Sequence, residues 1–390
     1  LIAGAYKADP RLEFLSKFLD LTVAFGFLTV LGIVYRILLK QIKVFIPSKQ
    51  VLIPYFLIVL LGILSLSYTL APIYGTDKLF RFLTITSLAL FAPYFLFRKE
   101  ESLIRFFWIF IVLAIGMVLD ILSRGLTFGF HSAFGSNYLE VGRITGISLI
   151  ILLFFFLMIS RRRLTKIIYL SLIPLLLFGM FISGGRGPVI AFFISILIIF
   201  IIVIGRNFLA MSTLIKREDI KLFGVVFFLS IIVVIIVINF SSYLILFYRM
   251  EILLEGEGTS FLKRVELFSR AIEAIISFPT GLMGLGIGGF SVFYQGIDDR
   301  LYPHNIFLEV GSELGILGLF AIILLLYWSF SQGISNINRK TDSTYRYLGI
   351  TALSLLIFMI VNASVSGDIN DNRLLFTWIS FIDVIRRFIK

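Results

Sequence analysis

Residues 188–205 read PVIAFFISILIIFIIVIG, and no charged side chain interrupts them. A helix of this length rises about 27 Å at 1.5 Å per residue, close to the roughly 30 Å hydrocarbon core of a bilayer. Because a bilayer offers the backbone no water to bond, a lone spanning segment must satisfy its own N–H and C=O groups. The stretch therefore predicts a transmembrane helix.

Comparable apolar runs occur on both sides of this one, each bounded by polar residues or by Gly and Pro. Together they make eleven predicted spans, at residues 21–39, 51–70, 82–97, 103–122, 144–160, 167–182, 188–205, 222–240, 314–330, 347–362 and 374–385. Residues 1–5 are expected to be the tail of a twelfth span. The sequence predicts an all-α polytopic transmembrane bundle that forms one integral membrane domain over residues 1–390.

The composition excludes an ordinary water-soluble fold, since 59% of the residues are hydrophobic and only 15% are charged, against roughly 25% charged in a typical soluble domain. The chain has no cysteine and only two histidines, His131 and His304. Disulfides, thiolate metal sites and histidine-rich metal sites are therefore excluded. We expect any catalysis to proceed without a metal or cofactor.

The net charge of +12 would suggest a nucleic-acid partner in a soluble protein. When the predicted spans alternate in direction, most of the basic residues fall on one side of the membrane and most of the acidic residues fall on the other. Cytoplasmic loops retain Lys and Arg during insertion. The positive charge is therefore an orientation signal, and nucleic acid is not an expected partner.

The largest hydrophilic segment, residues 241–303, lies on the outer side. Within it, Phe261, Val265, Phe268, Ile272 and Ile275 recur at helical spacing, which predicts an amphipathic helix in the interface plane that caps a cavity. The glycine-rich stretch at 279–290 resembles a nucleotide-binding fingerprint by letter. No strand precedes it, so a tight turn is the favoured interpretation.

The outer connection between two spans carries Arg186 in the stretch Ser183-Gly-Gly-Arg-Gly. Gly185 and Gly187 would let the backbone approach a ligand closely. A guanidinium can hold a phosphate with two parallel charge-assisted hydrogen bonds. The alternative is an arginine that extends its charged end to lipid headgroups.

His304 is the strongest candidate for a general base, since imidazole titrates near neutral pH. In a helix that begins here, Asn305, Glu309 and Glu313 would stack on one face at four-residue steps. A carboxylate from that face could orient His304. The alternative is an interfacial histidine beside helix-capping residues.

Further arginines at the outer side are candidates to bind a phosphate. Arg264 and Arg270 lie on the amphipathic helix, and Arg143 lies at the outer start of a span. For each of them, surface charge without a binding role is the alternative.

The ordered combination of these motifs resembles the O-antigen ligase and O-antigen polymerase family. The resemblance rests on His304-Asn305 followed by Gly315 and Gly318, on the Ser-Gly-Gly-Arg186-Gly stretch, and on the Arg264 helix that leads into the glycine-rich turn. It covers most of the chain.

The resemblance implies an inverting, metal-independent glycosyltransferase of the bacterial inner membrane, whose active site faces the periplasm. Its donor would be a glycan on undecaprenyl diphosphate, and its acceptor a glycan or the lipid A core. Arg186 and Arg264 would bind the diphosphate, with Arg270 an alternative second arginine, and His304 would activate the acceptor. Ligase is slightly favoured over polymerase. A transporter or flippase for a lipid-linked sugar is the alternative from another class.

Overall fold

The structure, a computed structural model, describes residues 20–39, 45–97, 99–210, 245–254, 259–338 and 343–388, together with residues 11, 224, 227 and 231. All regular elements in these ranges are helical. The predicted span at 222–240 and the predicted tail at 1–5 lie outside the described residues, apart from the three isolated positions.

Eight helices in the described part of the chain are long and apolar enough to cross a membrane. They are α1 (Leu21–Leu38), α3 (Pro72–Leu96), α4 (Glu100–Ser123), α5 (Tyr138–Ile159), α6 (Arg163–Ile182), α7 (Arg186–Val203), α12 (Ile306–Asn338) and α13 (Ser343–Ala363). Two shorter helices, α2 (Lys49–Ser65) and α14 (Arg373–Phe388), coincide with the predicted spans at 51–70 and 374–385. The prediction of an all-α, multi-pass membrane bundle is confirmed.

Two helices extend beyond the predicted spans because their first turns bury charge. The prediction started α3 at residue 82 and α12 at residue 314, where the charged residues stop. In the structure, Lys78 of α3 and Glu309 and Glu313 of α12 are at most 2% exposed. Lys78 forms ion pairs with both carboxylates, which offsets much of the cost of burying their charges and lets each helix continue into the protein interior.

The core is centred on α13, which packs against both α5 and α14. Every side chain of α14 from Leu374 to Ile385 is buried. In α1, by contrast, only 6% of the residues are buried inside the protein. The helices that carry the polar residues discussed below begin or end at one end of this core.

The segment that was predicted to be a large outer loop contains α8 (Ile245–Leu254), α9 (Thr259–Ile276) and two short helices, α10 (Thr280–Met283) and α11 (Phe290–Gln295). The amphipathic helix is α9. Its buried stripe is Leu267, Ala271 and Ala274, while the larger apolar residues around Val265 are exposed on the other side, as in a helix that lies in the membrane interface.

The glycine-rich stretch is a turn that packs into the bundle. Gly284, Gly286 and Gly288 have positive φ, and a Cβ on Gly284 would lie 2.1 Å from the Glu313 carbonyl oxygen. It approaches a kink in α12 at Gly315, where φ is +69°. These positions require glycine because the backbone of the turn packs closely against neighbouring backbone, and not because they bind a nucleotide.

Candidate functional site

A cavity of about 1120 Å³ lies at the end of the bundle where α5 and α14 begin. It lies among the ends of several spans, the amphipathic helix α9 and the connections before α12 and α14. Its polar lining includes Asp77, Arg81, Tyr138, Glu140, Arg143, Lys263, Arg264, Arg300, Tyr302, His304, Asp371 and Arg373. Three of the predicted site residues, Arg143, Arg264 and His304, therefore share one cavity.

His304 occupies the turn into α12 with a backbone φ of +58°, a conformation that costs a non-glycine residue on the order of 1–3 kcal/mol. Asn305 stabilises this turn: its side-chain oxygen accepts from the backbone N–H groups of Phe307 and Leu308 at 2.9 and 3.1 Å. The Nδ1 atom of His304 is buried and has no hydrogen-bond partner among the described residues. One ring nitrogen is thus left without a protein partner.

Burial is the main reason that His304 favours its neutral form. Burial lowers the pKa of His304 below its ordinary value, and the positive charge of Arg264 lowers it further. Asp371 and Asp368 act in the opposite direction but do not outweigh these effects. A neutral imidazole near pH 7 is the form that can accept a proton.

An acidic and aromatic group lies against His304. The Tyr302 and His304 rings meet edge to face with centroids 4.7 Å apart. Asp371 accepts from the Tyr302 hydroxyl at 3.2 Å and from Arg300 Nη2 at 2.8 Å. Burial would raise the pKa of Asp371, but the ion pair with Arg300 holds it below its usual value. Asp371 therefore stays ionised beside the histidine.

Arg264 is half-buried in the cavity wall formed by α9. Burial lowers its pKa, and the positive charge of Arg249 lowers it further. The guanidinium thus lies in a positive region that an anion would stabilise. Arg270, the alternative second arginine, points away from the cavity: it is exposed and pairs with Glu273 at 2.8 Å on the same helix. The structure therefore places Arg264, and not Arg270, at the site.

Arg186 begins α7 but is not among the residues that line the cavity. Its Nη1 donates to the Arg249 carbonyl oxygen at 2.7 Å, and the charges of Arg249 and Arg264 both act on it. The turn before it needs Gly184, whose φ is +78°. Gly185 is held by its N–H, which donates to Ser183 Oγ at 3.3 Å, and a Cβ on Gly187 would lie 3.2 Å from Val365.

Arg143 lies in the first turns of α5 with Glu140 one turn before it. Its Nη2 donates to the Ser366 carbonyl oxygen at 3.3 Å, while its buried Nε has no described partner. Glu140, Arg373 and Asp371 lie close enough for their charges to interact with this region of the wall. Arg143 therefore has hydrogen-bonding capacity on the cavity side of α5.

Glu309 and Glu313 do not contact His304 in the way that the sequence suggested. Lys78 Nζ lies 2.5 Å from Glu309 Oε1 and 2.7 Å from Glu313 Oε2. Glu313 also accepts from the Gly288 N–H at 2.9 Å, and Glu309 accepts from the Ile369 N–H at 3.2 Å. The hypothesis that they orient His304 by hydrogen bonds is replaced by a buried ion cluster that joins α3, α12 and two connections.

Sequence reasoning missed Lys78, Asp371 and Arg249. Lys78 follows a polar stretch that hydropathy assigns to a loop, and only the coordinates show that it is buried. Asp371 lies in the polar connection Asp368-Ile-Asn-Asp between two spans. Two acidic residues so close together between spans are a sequence signal for a polar site. Arg249 is a single arginine in the largely apolar stretch Ile245–Leu254, and nothing in the sequence ties it to Arg186.

The arrangement brings the His304 imidazole and several guanidinium groups into the wall of one cavity. A neutral imidazole can take a proton from a hydroxyl, and arginines can stabilise negative charge on a departing phosphate oxygen. Buried guanidiniums act more strongly than exposed ones, because the surrounding dielectric is low. The chemistry that this geometry suits is group transfer from an anionic leaving group to a hydroxyl.

Two comparisons with known proteins are informative. Residues 170–323 match the protein-family model described as O-antigen ligase, and this segment contains Arg186, Arg249, Arg264 and His304. A stretch of 99 residues is 32% identical to the probable peptidoglycan glycosyltransferase FtsW of Riesia pediculicola (strain USDA). That stretch is 24% of this chain and 26% of the relative, so the match spans about a quarter of each protein.

Proposed function

We propose that this chain belongs to the O-antigen ligase and polymerase family, on the match of residues 170–323 to the O-antigen ligase model, and that it transfers a glycan from undecaprenyl diphosphate to a sugar hydroxyl. The observation that carries the proposal is that His304 and Arg264 line the same cavity. Family membership supplies the type of substrate, a lipid-linked glycan and an acceptor in a membrane. The cavity supplies a base and an arginine for the leaving group.

In the proposed reaction, the acceptor hydroxyl oxygen attacks the anomeric carbon of the donor. The bond from that carbon to the diphosphate oxygen breaks, and the lipid diphosphate leaves with the electron pair. The hydroxyl proton passes to the His304 imidazole, and Arg264 in the cavity wall stabilises the negative charge on the diphosphate. Arg186 does not line the cavity, but its charge interacts with that of Arg264 and adds to the positive charge beside the leaving group. A single displacement of this kind inverts the anomeric centre, and its steps need no metal.

Each group is matched to its task by the surroundings already described. Burial and Arg264 keep His304 neutral and so able to accept the proton. A general base contributes typically 10²–10⁴-fold to a rate, and preorganised donors at a leaving group contribute a comparable factor. The ionised Asp371 beside Tyr302 and His304 would stabilise the imidazolium once it forms.

We place this reaction at the periplasmic face of the bacterial inner membrane. Support comes from the distribution of Lys and Arg, which predicts that the end of the bundle with residues 186 and 304 is the outer end. The lipid-linked donor, the acceptor and the surrounding membrane lipids would meet there. The relative in Riesia pediculicola is named as a glycosyltransferase, which fits a transfer reaction, although the match covers only part of either chain.

Within this function, ligation to the lipid A core is our preferred assignment, and polymerisation of repeat units is the alternative. A gene deletion separates them. Ligation predicts that polymer accumulates on the undecaprenyl carrier when the gene is lost. If single repeats remained attached to lipid A and only long chains were lost, the protein would be the polymerase instead.

The direct test uses purified full-length protein with a glycan on undecaprenyl diphosphate and an acceptor glycolipid. The proposal predicts transfer without added divalent metal, and loss of transfer in His304→Ala. Transfer that is unchanged by that substitution would remove the base assignment. Export of the lipid-linked glycan across vesicles without transfer would favour a flippase.

A further inference from the structure

Arg249 is a positively charged residue that the proposed reaction has not used. It lies on α8, and its side chain is half-buried. Its guanidinium stacks over the Phe130 ring at 4.7 Å and lies 5.9 Å from the centre of the Tyr138 ring. Tyr138 lines the cavity, so Arg249 lies next to a residue of the cavity wall.

Arg249 and Arg186 hold each other's segments in a reciprocal arrangement. Arg186 Nη1 donates to the Arg249 carbonyl oxygen at 2.7 Å, and Arg249 Nη1 donates to the Gly184 carbonyl oxygen at 2.9 Å. The turn that carries Arg186 is therefore fastened to α8 at two points. An arginine has five N–H donors, so these contacts leave most of the hydrogen-bonding capacity of both guanidiniums for a ligand.

The surroundings of this pair concentrate positive charge. The largest charge interactions of Arg186 are with Arg249 and Arg264, and those of Arg264 are with Tyr138 and Arg249. In the part of the chain that the structure describes, these largest interactions include no carboxylate. Three guanidiniums that repel one another in a partly buried site raise its free energy, and a multivalent anion would relieve that repulsion.

We propose that Arg249 is a further residue of the diphosphate site. Arg249 positions Arg186 and makes the site selective for a diphosphate over a single phosphate. This inference rests on the proposed function for the identity of the donor. The reason for the selectivity is charge: a diphosphate has two phosphoryl groups to distribute over three guanidiniums, whereas one phosphate can engage only part of the set.

The test measures binding of two probes, inorganic pyrophosphate and inorganic phosphate, to purified full-length protein by thermal shift, alongside their inhibition of glycan transfer. The variants are Arg249→Ala and Arg249→Lys. Lysine keeps the charge and the length but cannot form the planar two-bond fork. Arg163→Ala is the control, since Arg163 is an exposed arginine at the opposite end of the bundle, where α6 begins.

We expect Arg249→Ala to weaken pyrophosphate binding by about tenfold or more, the loss of a charge-assisted contact, with a much smaller change for phosphate. The KM for the lipid-linked donor should rise while the KM for the acceptor stays constant. Arg249→Lys should fold normally and lose most of the preference for pyrophosphate. A purely structural role would instead lower the thermal stability and leave the preference intact.

The outcomes separate this inference from the proposed function. Glycan transfer with an unaltered pyrophosphate preference in both Arg249 variants would overturn the inference and leave the function standing. Arg249-dependent pyrophosphate binding by a protein that transfers no glycan would overturn the function and support the diphosphate site. Weakening of both probes to the same extent in Arg249→Lys would also overturn the selectivity.

Discussion

Replacing Lys78 by methionine tests the buried ion cluster most sharply. Lys78 Nζ lies 2.5 Å from Glu309 and 2.7 Å from Glu313, and the three side chains are between 1% and 3% exposed. Methionine would fill a similar volume and leave two carboxylates together without a counter-charge. Removing one partner of a buried ion pair costs about 3–5 kcal/mol, and two carboxylates lose their partner here.

A loss of about 3–5 kcal/mol corresponds to an unfolding constant that rises by roughly two to three and a half powers of ten. The assay is reversible denaturant unfolding of the purified protein in mixed micelles, followed by tryptophan fluorescence, to which the fully buried Trp378 contributes. Lys49→Met is the matched control because Lys49 is an exposed lysine at the start of α2. It should unfold like the unchanged protein.

Neutralising the cluster as a whole should rescue it. The triple variant Lys78→Met, Glu309→Gln and Glu313→Gln removes the charge together with its partners, and such replacements are often close to neutral. Glu309→Gln alone should cost little, since Lys78 keeps Glu313 and an amide oxygen can still accept from the Ile369 N–H. A stabilising ion cluster would be ruled out if Lys78→Met unfolded at the same denaturant concentration as the control, or if the triple variant were no more stable than Lys78→Met.

Three other predictions concern the site and its supports. The acid limb of the kcat/KM profile should report a pKa below the ordinary 6.5 of histidine, because burial and Arg264 lower the pKa of His304. Asp371→Asn removes a negative charge that raises this pKa, so it should move the acid limb to lower pH. A shift of the limb to higher pH would contradict this electrostatic effect. Gly315→Ala should lower the unfolding free energy by about 2 kcal/mol or more, since φ is +69° and the new Cβ would lie 2.2 Å from a backbone carbonyl oxygen; a variant of unchanged denaturant midpoint would rule out the need for glycine there. Arg264→Ala should reduce donor turnover by about 10²-fold while Arg270→Ala retains it, and equal losses in a transfer assay would show that the cavity does not distinguish the two arginines.

The helical bundle could be predicted from hydropathy because the bilayer leaves few alternatives. A run such as 188–205 must be a helix to satisfy its own backbone groups in hydrocarbon. The same criterion failed at the starts of α3 and α12, where Lys78 and Glu309 looked like loop charges. Whether a charge is buried depends on the residue across from it, here more than 200 positions away along the chain, and periodicity cannot supply that partner.

The site was predicted in part, for a similar reason. His304 and Arg264 could be selected from the sequence because an imidazole can act as a base and a guanidinium can bind phosphate. The resemblance to the O-antigen ligase family that linked them is confirmed by the match at residues 170–323. Their assignment as base and diphosphate ligand stays a prediction. Glu309 was expected to orient His304 because it follows Asn305 by one helical turn. In the structure its partner is Lys78, on another helix. Asp371 had no sequence pattern that tied it to His304, since the two meet only through the tertiary fold.

The central claim is that the cavity containing Arg264 and His304 transfers a glycan from a lipid diphosphate to a hydroxyl. The measurement is the initial rate at which purified protein moves a labelled glycan from undecaprenyl diphosphate to an acceptor glycolipid, for the unchanged protein and for His304→Ala at equal folded concentration. We predict a measurable rate that falls by about 10²-fold or more in the variant, the usual contribution of a general base. Equal rates for the two proteins, or no transfer by the unchanged protein with any lipid-linked donor, would contradict the account.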